Sequence, residues 1–135
     1  MKTGVFGLGS MGFGIAVSLL RAGHAVCGAD VSAAAVARLR AEGGNAGDIA
    51  DEAGALDAVV IVVLNAAQVE DVLFGAKGIA GRLRQGAVVV CCVTVAPDFA
   101  RRMAATQANA LRQDLAVRFV AIGCGFVPIA VHHHR

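Results

Sequence analysis

The chain has 135 residues, of which 57% are hydrophobic and 16% charged, and its formal net charge is +2. This length accommodates one domain with a core of its own, and the hydrophobicity excludes an intrinsically disordered protein. Because proteins that track nucleic-acid phosphates carry a strongly basic patch, the small net charge argues against a nucleic-acid partner.

Strands and helices are predicted to alternate along the chain. Strands are predicted for the short apolar runs at residues 3–7, 25–29, 58–64 and 87–93, and for a last run at 117–122. Helices are predicted at residues 10–23, 32–42, 66–74 and 97–113, with short helical turns near 49–53 and 79–83. The third and fourth strands are apolar throughout, which is typical of strands that are covered on both faces. This pattern predicts an α/β fold with a doubly wound parallel sheet, in which ligands bind beyond the carboxyl ends of the strands.

The cysteines, histidines and apolar runs bear on metal binding, compartment and membrane association. Four cysteines, Cys27, Cys91, Cys92 and Cys124, form no CxxC pair, and the histidines at 132–134 are expected to be a frayed tail, so no metal site is predicted. Buried, reduced thiols are expected, and they indicate a cytoplasmic protein. The uncharged run at 4–20 is rich in glycine, and the other apolar runs are shorter than the roughly 20 residues that span a bilayer. No membrane association is therefore expected.

A glycine-rich motif lies between the first strand and the first helix. The residues Gly7, Leu8, Gly9, Ser10, Met11 and Gly12 form the pattern GxGxxG. In this context Gly7 permits the tight turn, Gly9 lets a pyrophosphate approach the backbone, and Gly12 allows close packing of helix and strand. The backbone N–H groups near Ser10 and Met11 lie at the positive end of the helix. The motif therefore predicts a dinucleotide-binding loop.

An acidic residue at the end of the second strand supports this prediction. Asp30 lies 18 residues after Gly12, where a carboxylate can accept hydrogen bonds from the adenosine ribose. Its charge would repel the 2′-phosphate of NADP, and Val31 supplies no cation beside it, so NAD is the predicted cofactor. An S-adenosylmethionine-dependent methyltransferase also places an acid at this point and is the alternative. The third glycine of the motif, Gly12, favours a dinucleotide.

Several motifs resemble one family of dehydrogenases in their order and spacing. They are GLGSMGFG at 7–14, Asp30, VVLNAAQVEDVLFG at 62–75, GIAGRLRQGAVVV at 78–90 and TVAP at 94–97. Over about residues 3–105 the chain resembles the β-hydroxyacid dehydrogenases, and NAAQ followed by VLFG is most similar to their L-threonate dehydrogenase branch.

The resemblance implies a Rossmann-type domain of an NAD-dependent oxidoreductase that acts on small hydroxy acids. It also implies three further cofactor-binding residues. Leu64 and Asn65 match the loop along the ribose and nicotinamide half of the cofactor, and Thr94 matches a threonine on the nicotinamide side. Val93 stands where the family usually has a serine, so one polar contact of the family is missing there.

The resemblance ends after about residue 105. Residues 119–125 match the substrate-binding motif of the family only faintly, and neither Lys2 nor Lys77 has the sequence context of its catalytic lysine. The charge changes as well: residues 1–100 carry a net −2 and residues 101–135 a net +4. A dinucleotide-binding domain at 1–113 is therefore predicted, followed by an atypical tail at 114–135, with the second helical domain of the family absent.

A truncated dehydrogenase that retains NAD binding, with or without a frameshifted C-terminus, is the hypothesis that follows. A stand-alone dinucleotide-binding module without catalysis is the alternative. Members of the family cover one side of this domain with further helices, so the isolated chain is expected to self-associate through exposed apolar surface.

Overall fold

Six strands form one sheet in the computed structural model, which describes residues 1–45, 48–76, 78–84, 86–92, 98, 102, 118–121 and 127–129. The strands are β1 (Lys2–Phe6), β2 (Ala25–Ala29), β3 (Ala58–Ile61), β4 (Val88–Cys91), β5 (Arg118–Ala121) and β6 (Val127–Ile129). Their order is β2-β1-β3-β4-β5-β6, and each neighbouring pair is parallel except β5 and β6. The chain moves from β1 to one side and then returns to the other, so β1 and β3 flank a topological switch point.

Within the described residues, four helices and two 3-10 turns have defined bounds. They are α1 (Ser10–Arg21), α2 (Ala33–Ala41), α3 (Ile49–Glu52) and α4 (Ala66–Phe74), with 3-10 turns at Ala53–Ala55 and Ala80–Arg82. Ser32, Asp48 and Asn65 cap α2, α3 and α4, because each side chain accepts a hydrogen bond from a first-turn backbone N–H. Across the described segments, no helix combines the length and the apolarity that a membrane crossing needs.

A cluster of buried apolar side chains covers each face of the sheet. Alternate residues of a strand point to opposite faces, so Val59 of β3 belongs to one cluster and Val60 to the other. Helix α4 contributes Leu73 to the first cluster, and α2 contributes Leu39 to the second. This double coverage explains why the central strands are apolar throughout. The prediction of a doubly wound, parallel α/β sheet of the Rossmann type is confirmed.

The strand predicted at 58–64 is too long, because β3 ends at Ile61. Phe6 of β1 and Cys91 of β4 lie opposite Ile61, and each is the last residue of its own strand. The N–H of Val62 still donates to the carbonyl of Phe6 at 2.7 Å, but the ladder has no partner beyond this point. Residues 62–65 therefore form a loop, which we call the β3–α4 loop.

The sheet continues into the C-terminal part of the chain. Strand β5 lies within the run at 117–122 for which the sequence predicts a strand, and β6 pairs with it antiparallel at the edge of the sheet. The sequence analysis missed β6, which contains Pro128; an edge strand tolerates proline, although proline cannot donate a hydrogen bond to a ladder. The helix predicted at 97–113 lies outside the described residues except for residues 98 and 102, which are helical.

A small polar cluster lies at the amino end of β1. The backbone N–H of Lys2 donates to Asp57 Oδ2 at 2.7 Å, and Arg84 pairs with Asp57 Oδ1. The side chain of Lys2 is 3.2 Å from Glu52 Oε2. The switch point lies at the carboxyl ends of the strands. These groups lie at the opposite ends, so the length of a strand separates them from it.

The acid stability of the fold is expected to depend on Asp57. The hydrogen bond from the Lys2 backbone, followed by that from Arg84, holds the pKa of the Asp57 carboxyl below its usual value. A carboxyl with a lowered pKa stabilises the fold above its unfolded pKa of about 3.9, and this contribution is lost as the pH falls through the lowered value. We therefore expect Asp57→Asn to reduce the free energy of unfolding at pH 7 and to have a smaller effect at pH 3. Urea unfolding at both pH values measures the difference, and an equal loss at both would contradict the prediction.

Candidate functional site

A cleft of about 700 Å³ opens at the carboxyl ends of β1, β2 and β3. Its walls are residues 6–12 with the exception of Leu8, residues 29–31, residues 62–64, and the side of α4 at Gln68 and Val72. The cleft therefore lies at the switch point, where open α/β sheets bind their ligands. Its volume is in the range of small-molecule and cofactor sites.

Most residues that the sequence analysis proposed for cofactor binding meet at this cleft. Lining it are Gly7, Gly9, Ser10, Met11, Gly12, Asp30 and Leu64. Leu8 does not line it, because its side chain is buried in the core while its N–H points to Asp30. Asn65 does not line it either and instead caps α4. Thr94, the remaining predicted residue, and Val93 lie outside the described residues.

The sequence analysis did not propose the residues that complete the walls. These are Phe6, Ala29, Val31, Val62, Val63, Gln68 and Val72. All of them except Gln68 are apolar; most of these lie at the end of a strand or just after it, and Val72 lies in α4. Periodicity assigns such residues to the core as readily as to a ligand site. Gln68 carried a usable signal, because Asn65 and Gln68 have the spacing of a capping box at the start of a helix.

The three glycines of the motif meet different surroundings. Gly7 has a φ of +89°, and a Cβ there would lie 1.8 Å from the carbonyl oxygen of Val62. A Cβ on Gly12 would lie 1.7 Å from the carbonyl oxygen of Gly7. At Gly9, no heavy atom of the described residues other than its chain neighbours lies within 4 Å of the added Cβ. Gly7 and Gly12 thus permit close contact inside the protein, whereas Gly9 leaves open space above the start of α1.

Helix α1 begins without a side-chain cap. Its N-cap is Gly9, which has no side chain to accept a hydrogen bond, and its first turn contains no acidic residue. The other three helices described above are capped by a side-chain oxygen. The first N–H groups of α1 and the positive end of its dipole are therefore available to an anion in the cleft. A pyrophosphate fits this arrangement, because Gly9 has no side chain that would keep the ligand away from these N–H groups.

The Asp30 carboxylate joins the glycine loop to the turn before α2. Its Oδ2 accepts a hydrogen bond from the N–H of Leu8 at 2.7 Å, and its Oδ1 accepts one from the N–H of Ser32 at 2.8 Å. Each carboxylate oxygen has a second lone pair, so the group can accept further hydrogen bonds from a ligand. Asp30 is half-buried and lines the cleft, which places an ionisable acceptor at the end of β2.

Exposed apolar side chains stand around the cleft. Met11 is 62% exposed, Leu64 88%, and Val31 fully exposed. Together with Met1 they are the large hydrophobic residues that are exposed in the described part of the chain. Exposed apolar surface beside a cleft is typical of ligand sites, and here it would suit the flat, apolar faces of a base or a nicotinamide ring.

The thiols in the described segments are not part of this cleft. Cys27 and Cys91 are buried, Cys92 is half-buried, and none of these three residues is part of a disulfide bond. Burial and the nearby Glu52 carboxylate raise the pKa of Cys27 to about 11, which keeps this thiol protonated and unreactive. Among the described residues, no three His, Cys, Asp or Glu side chains are grouped so as to hold a metal ion.

Comparison with known proteins agrees with this geometry. Residues 2–120 match the family model described as the NAD binding domain of 6-phosphogluconate dehydrogenase. L-threonate dehydrogenase of Escherichia coli strain K12 is 43% identical over 108 residues, which are 78% of this chain and 36% of that enzyme. 3-hydroxyisobutyrate dehydrogenase of Pseudomonas aeruginosa is 37% identical over 99 residues, which are 73% of this chain and 33% of that enzyme.

A solved structure shows the same fold. The crystal structure of 3-hydroxyisobutyrate dehydrogenase from Salmonella typhimurium superimposes with a TM-score of 0.77 and 39% identity, covering 92% of this chain and 43% of that chain. The chain spans about a third of the length of the curated relatives that it matches. The match over residues 2–120, with the glycine loop and Asp30 at the switch point, shows that this chain belongs to the family of NAD-binding domains found in 6-phosphogluconate dehydrogenase.

Proposed function

We propose that this chain binds NAD in the cleft as the cofactor domain of a dehydrogenase that acts on a small hydroxy acid of the L-threonate or 3-hydroxyisobutyrate type. The relatives that carry these names support the substrate class. The proposal includes self-association of the isolated chain, which the exposed apolar residues around the cleft support.

The residues at the cleft suit different parts of the cofactor. The backbone at Gly9, Ser10 and Met11 would hold the pyrophosphate at the start of α1, with Gly7 and Gly12 giving the loop its shape. Asp30 would accept hydrogen bonds from the ribose hydroxyls, and its charge disfavours the 2′-phosphate of NADP. Leu64 would contact the cofactor directly. Asn65 would act through the β3–α4 loop by capping α4, and Leu8 would act through its N–H to Asp30.

The residues of this chain would bind and orient the cofactor, and the bound cofactor would supply the hydride acceptor. Lys2 is at the amino end of β1, within 3.2 Å of Glu52, and so at the opposite end of the sheet from the cleft. It cannot assist removal of a substrate proton at the switch point. Thr94, which the family resemblance places beside the nicotinamide, belongs to the same proposal.

One observation carries the proposal more than any other. The Asp30 carboxylate and the uncapped start of α1 line the same cleft, so a ribose acceptor and an anion site are joined through the N–H of Leu8. A dinucleotide carries both a ribose and a pyrophosphate. A ligand with only one of these groups would use half of the site.

Titration of the purified chain with NAD, NADP and S-adenosylmethionine tests the proposal. We expect saturable binding of NAD, binding of NADP that is weaker by about tenfold, and no binding of S-adenosylmethionine. Asp30→Ala should weaken NAD binding by about tenfold or more, because hydrogen bonds to a charged group contribute about 1.5–3 kcal/mol. It should also remove the preference for NAD over NADP.

The matched control is Glu70→Ala, which removes one carboxylate from an exposed position of α4 away from the cleft. It should bind NAD as the parent chain does. The proposal would be overturned if the folded chain did not bind NAD, or if it bound S-adenosylmethionine more tightly than NAD. Reduction of NAD in the presence of L-threonate or 3-hydroxyisobutyrate separates a chain that supports turnover from a module that only binds.

A further inference from the structure

Gln68 makes two hydrogen bonds at the start of α4. Its backbone N–H donates to Asn65 Oδ1 at 3.0 Å. Its side-chain Oε1 accepts a hydrogen bond from the N–H of Leu64 at 2.7 Å. Each bond joins the first turn of the helix to the β3–α4 loop. The two bonds resemble a capping box in which the side chain of the third helical residue reaches the residue before the N-cap instead of the N-cap itself. We call these two hydrogen bonds the clasp.

The orientation of the Gln68 amide follows from its partner. A backbone N–H can only donate, so the amide atom facing Leu64 must be the oxygen. Gln68 also lines the cleft, as Leu64 does. A side chain of this length with an acceptor at its end is therefore needed to fix the Leu64 backbone at the wall of the cleft.

The β3–α4 loop, which Gln68 holds, packs against the glycine loop. At its start, the N–H of Val62 donates to the carbonyl of Phe6 at 2.7 Å. The carbonyl oxygen of Val62 then lies so close to Gly7 that a Cβ there would be 1.8 Å away. A displacement of this loop would therefore move the wall at Leu64 and also change the support of the glycine loop.

We infer that Gln68 is a positioning residue of the dinucleotide cleft, which acts with Asn65 by holding the β3–α4 loop against the glycine loop. The inference deepens the proposed function and rests on it. Asn65 does not line the cleft, so any effect of its removal on the ligand must act through the position of the loop.

The clasp can be tested in the cofactor-free chain by hydrogen exchange of the Leu64 amide, followed by NMR. Gln68→Met keeps the length of the side chain but removes the acceptor, and we expect Leu64 to exchange about tenfold faster. Gln68→Glu retains an oxygen at this position and should restore slow exchange. Rescue by Glu but not by Met would show that the acceptor, and not the bulk of the side chain, holds the loop.

The effect on the cleft is measured by NAD titration of Gln68→Met, Asn65→Ala and the double variant. Each single variant should weaken NAD binding by about three- to tenfold, as expected for one intramolecular hydrogen bond. The double variant should weaken it by less than the product of the two, because both bonds hold one loop.

The matched control is Asp48→Ala, which removes the cap of α3, a helix that does not line the cleft. It should lower the urea midpoint to a similar extent and leave NAD binding unchanged. If the parent chain binds NAD and Gln68→Met binds it equally well, or if Leu64 exchange is unaltered in that variant, the inference is wrong. If the parent chain itself does not bind NAD, the proposed function fails, and the inference fails with it.

Discussion

Replacement of Gly9 by alanine is expected to leave the fold intact and to weaken NAD binding by about 100-fold. Gly9 has φ −68° and ψ −168°, an extended conformation that alanine adopts without strain. Apart from its chain neighbours, none of the described residues has an atom within 4 Å of the added methyl group, so we expect the free chain to accommodate it. The same methyl group would occupy the space through which a pyrophosphate reaches the N–H groups of α1. Inserting a methyl group into a filled contact costs about 1–3 kcal/mol, and the upper part of this range corresponds to the expected loss.

Gly14→Ala is the matched control for this experiment. Gly14 lies inside α1, the helix that Gly9 precedes. Among the described residues no atom from outside the helix lies within 4 Å of a Cβ added at Gly14, and the residue does not line the cleft. Because alanine is the better helix former, this variant should raise the free energy of unfolding by about 0.5–1 kcal/mol and leave NAD binding unchanged. Calorimetric titration and urea unfolding measure both quantities for each variant. Unchanged NAD binding by Gly9→Ala would show that the pyrophosphate does not pass this residue.

Replacement of Gly12 by alanine is expected to reduce the free energy of unfolding even without a ligand, whereas replacement of Gly9 affects ligand binding and leaves the fold intact. The new Cβ would lie 1.7 Å from the carbonyl oxygen of Gly7. Gly7 cannot move away freely, because its N–H donates to the carbonyl of Ala29 at 2.9 Å and the carbonyl oxygen of Val62 occupies the space where a Cβ of Gly7 would lie. We expect a loss of at least about 3 kcal/mol, a large share of the 5–15 kcal/mol that stabilises a typical domain.

Urea unfolding of Gly12→Ala without cofactor measures this loss, and Gly14→Ala again provides the comparison within α1. The loss of NAD binding should then follow the loss of folded protein. A Gly12→Ala chain with the parent's urea midpoint would mean that α1 can shift away from β1 at little cost. In that case the close contact at Gly12 is not required for the fold.

The order of elements and the position of the site could be predicted because they depend on local pattern. Apolar strands without alternation indicated a sheet covered on both faces, and the spacing from Gly12 to Asp30 brought both to one edge. The end of β3 could not be predicted from residues 58–64, because the partner strands decide where the ladder stops. An apolar run has the same appearance in a strand and in the loop that follows it.

The roles of individual side chains were harder to predict. Asn65 matched a cofactor-binding loop in sequence, yet its side chain caps α4, because the first N–H groups of a helix need an acceptor. Gln68 was missed as a part of the site, since its contribution depends on a side-chain rotamer that brings Oε1 to Leu64. Such choices arise from the folded environment and leave only a weak trace in residue spacing.

The N–H groups of Leu8 and Ser32 already bind the Asp30 carboxylate in the chain without a ligand. The glycine loop and the turn before α2 are tied together before a ligand arrives, so little conformational entropy remains to be lost when it enters. A preorganised cleft of this kind favours capture at a rate set mainly by diffusion, and differences in affinity among variants should then appear chiefly in the dissociation rate.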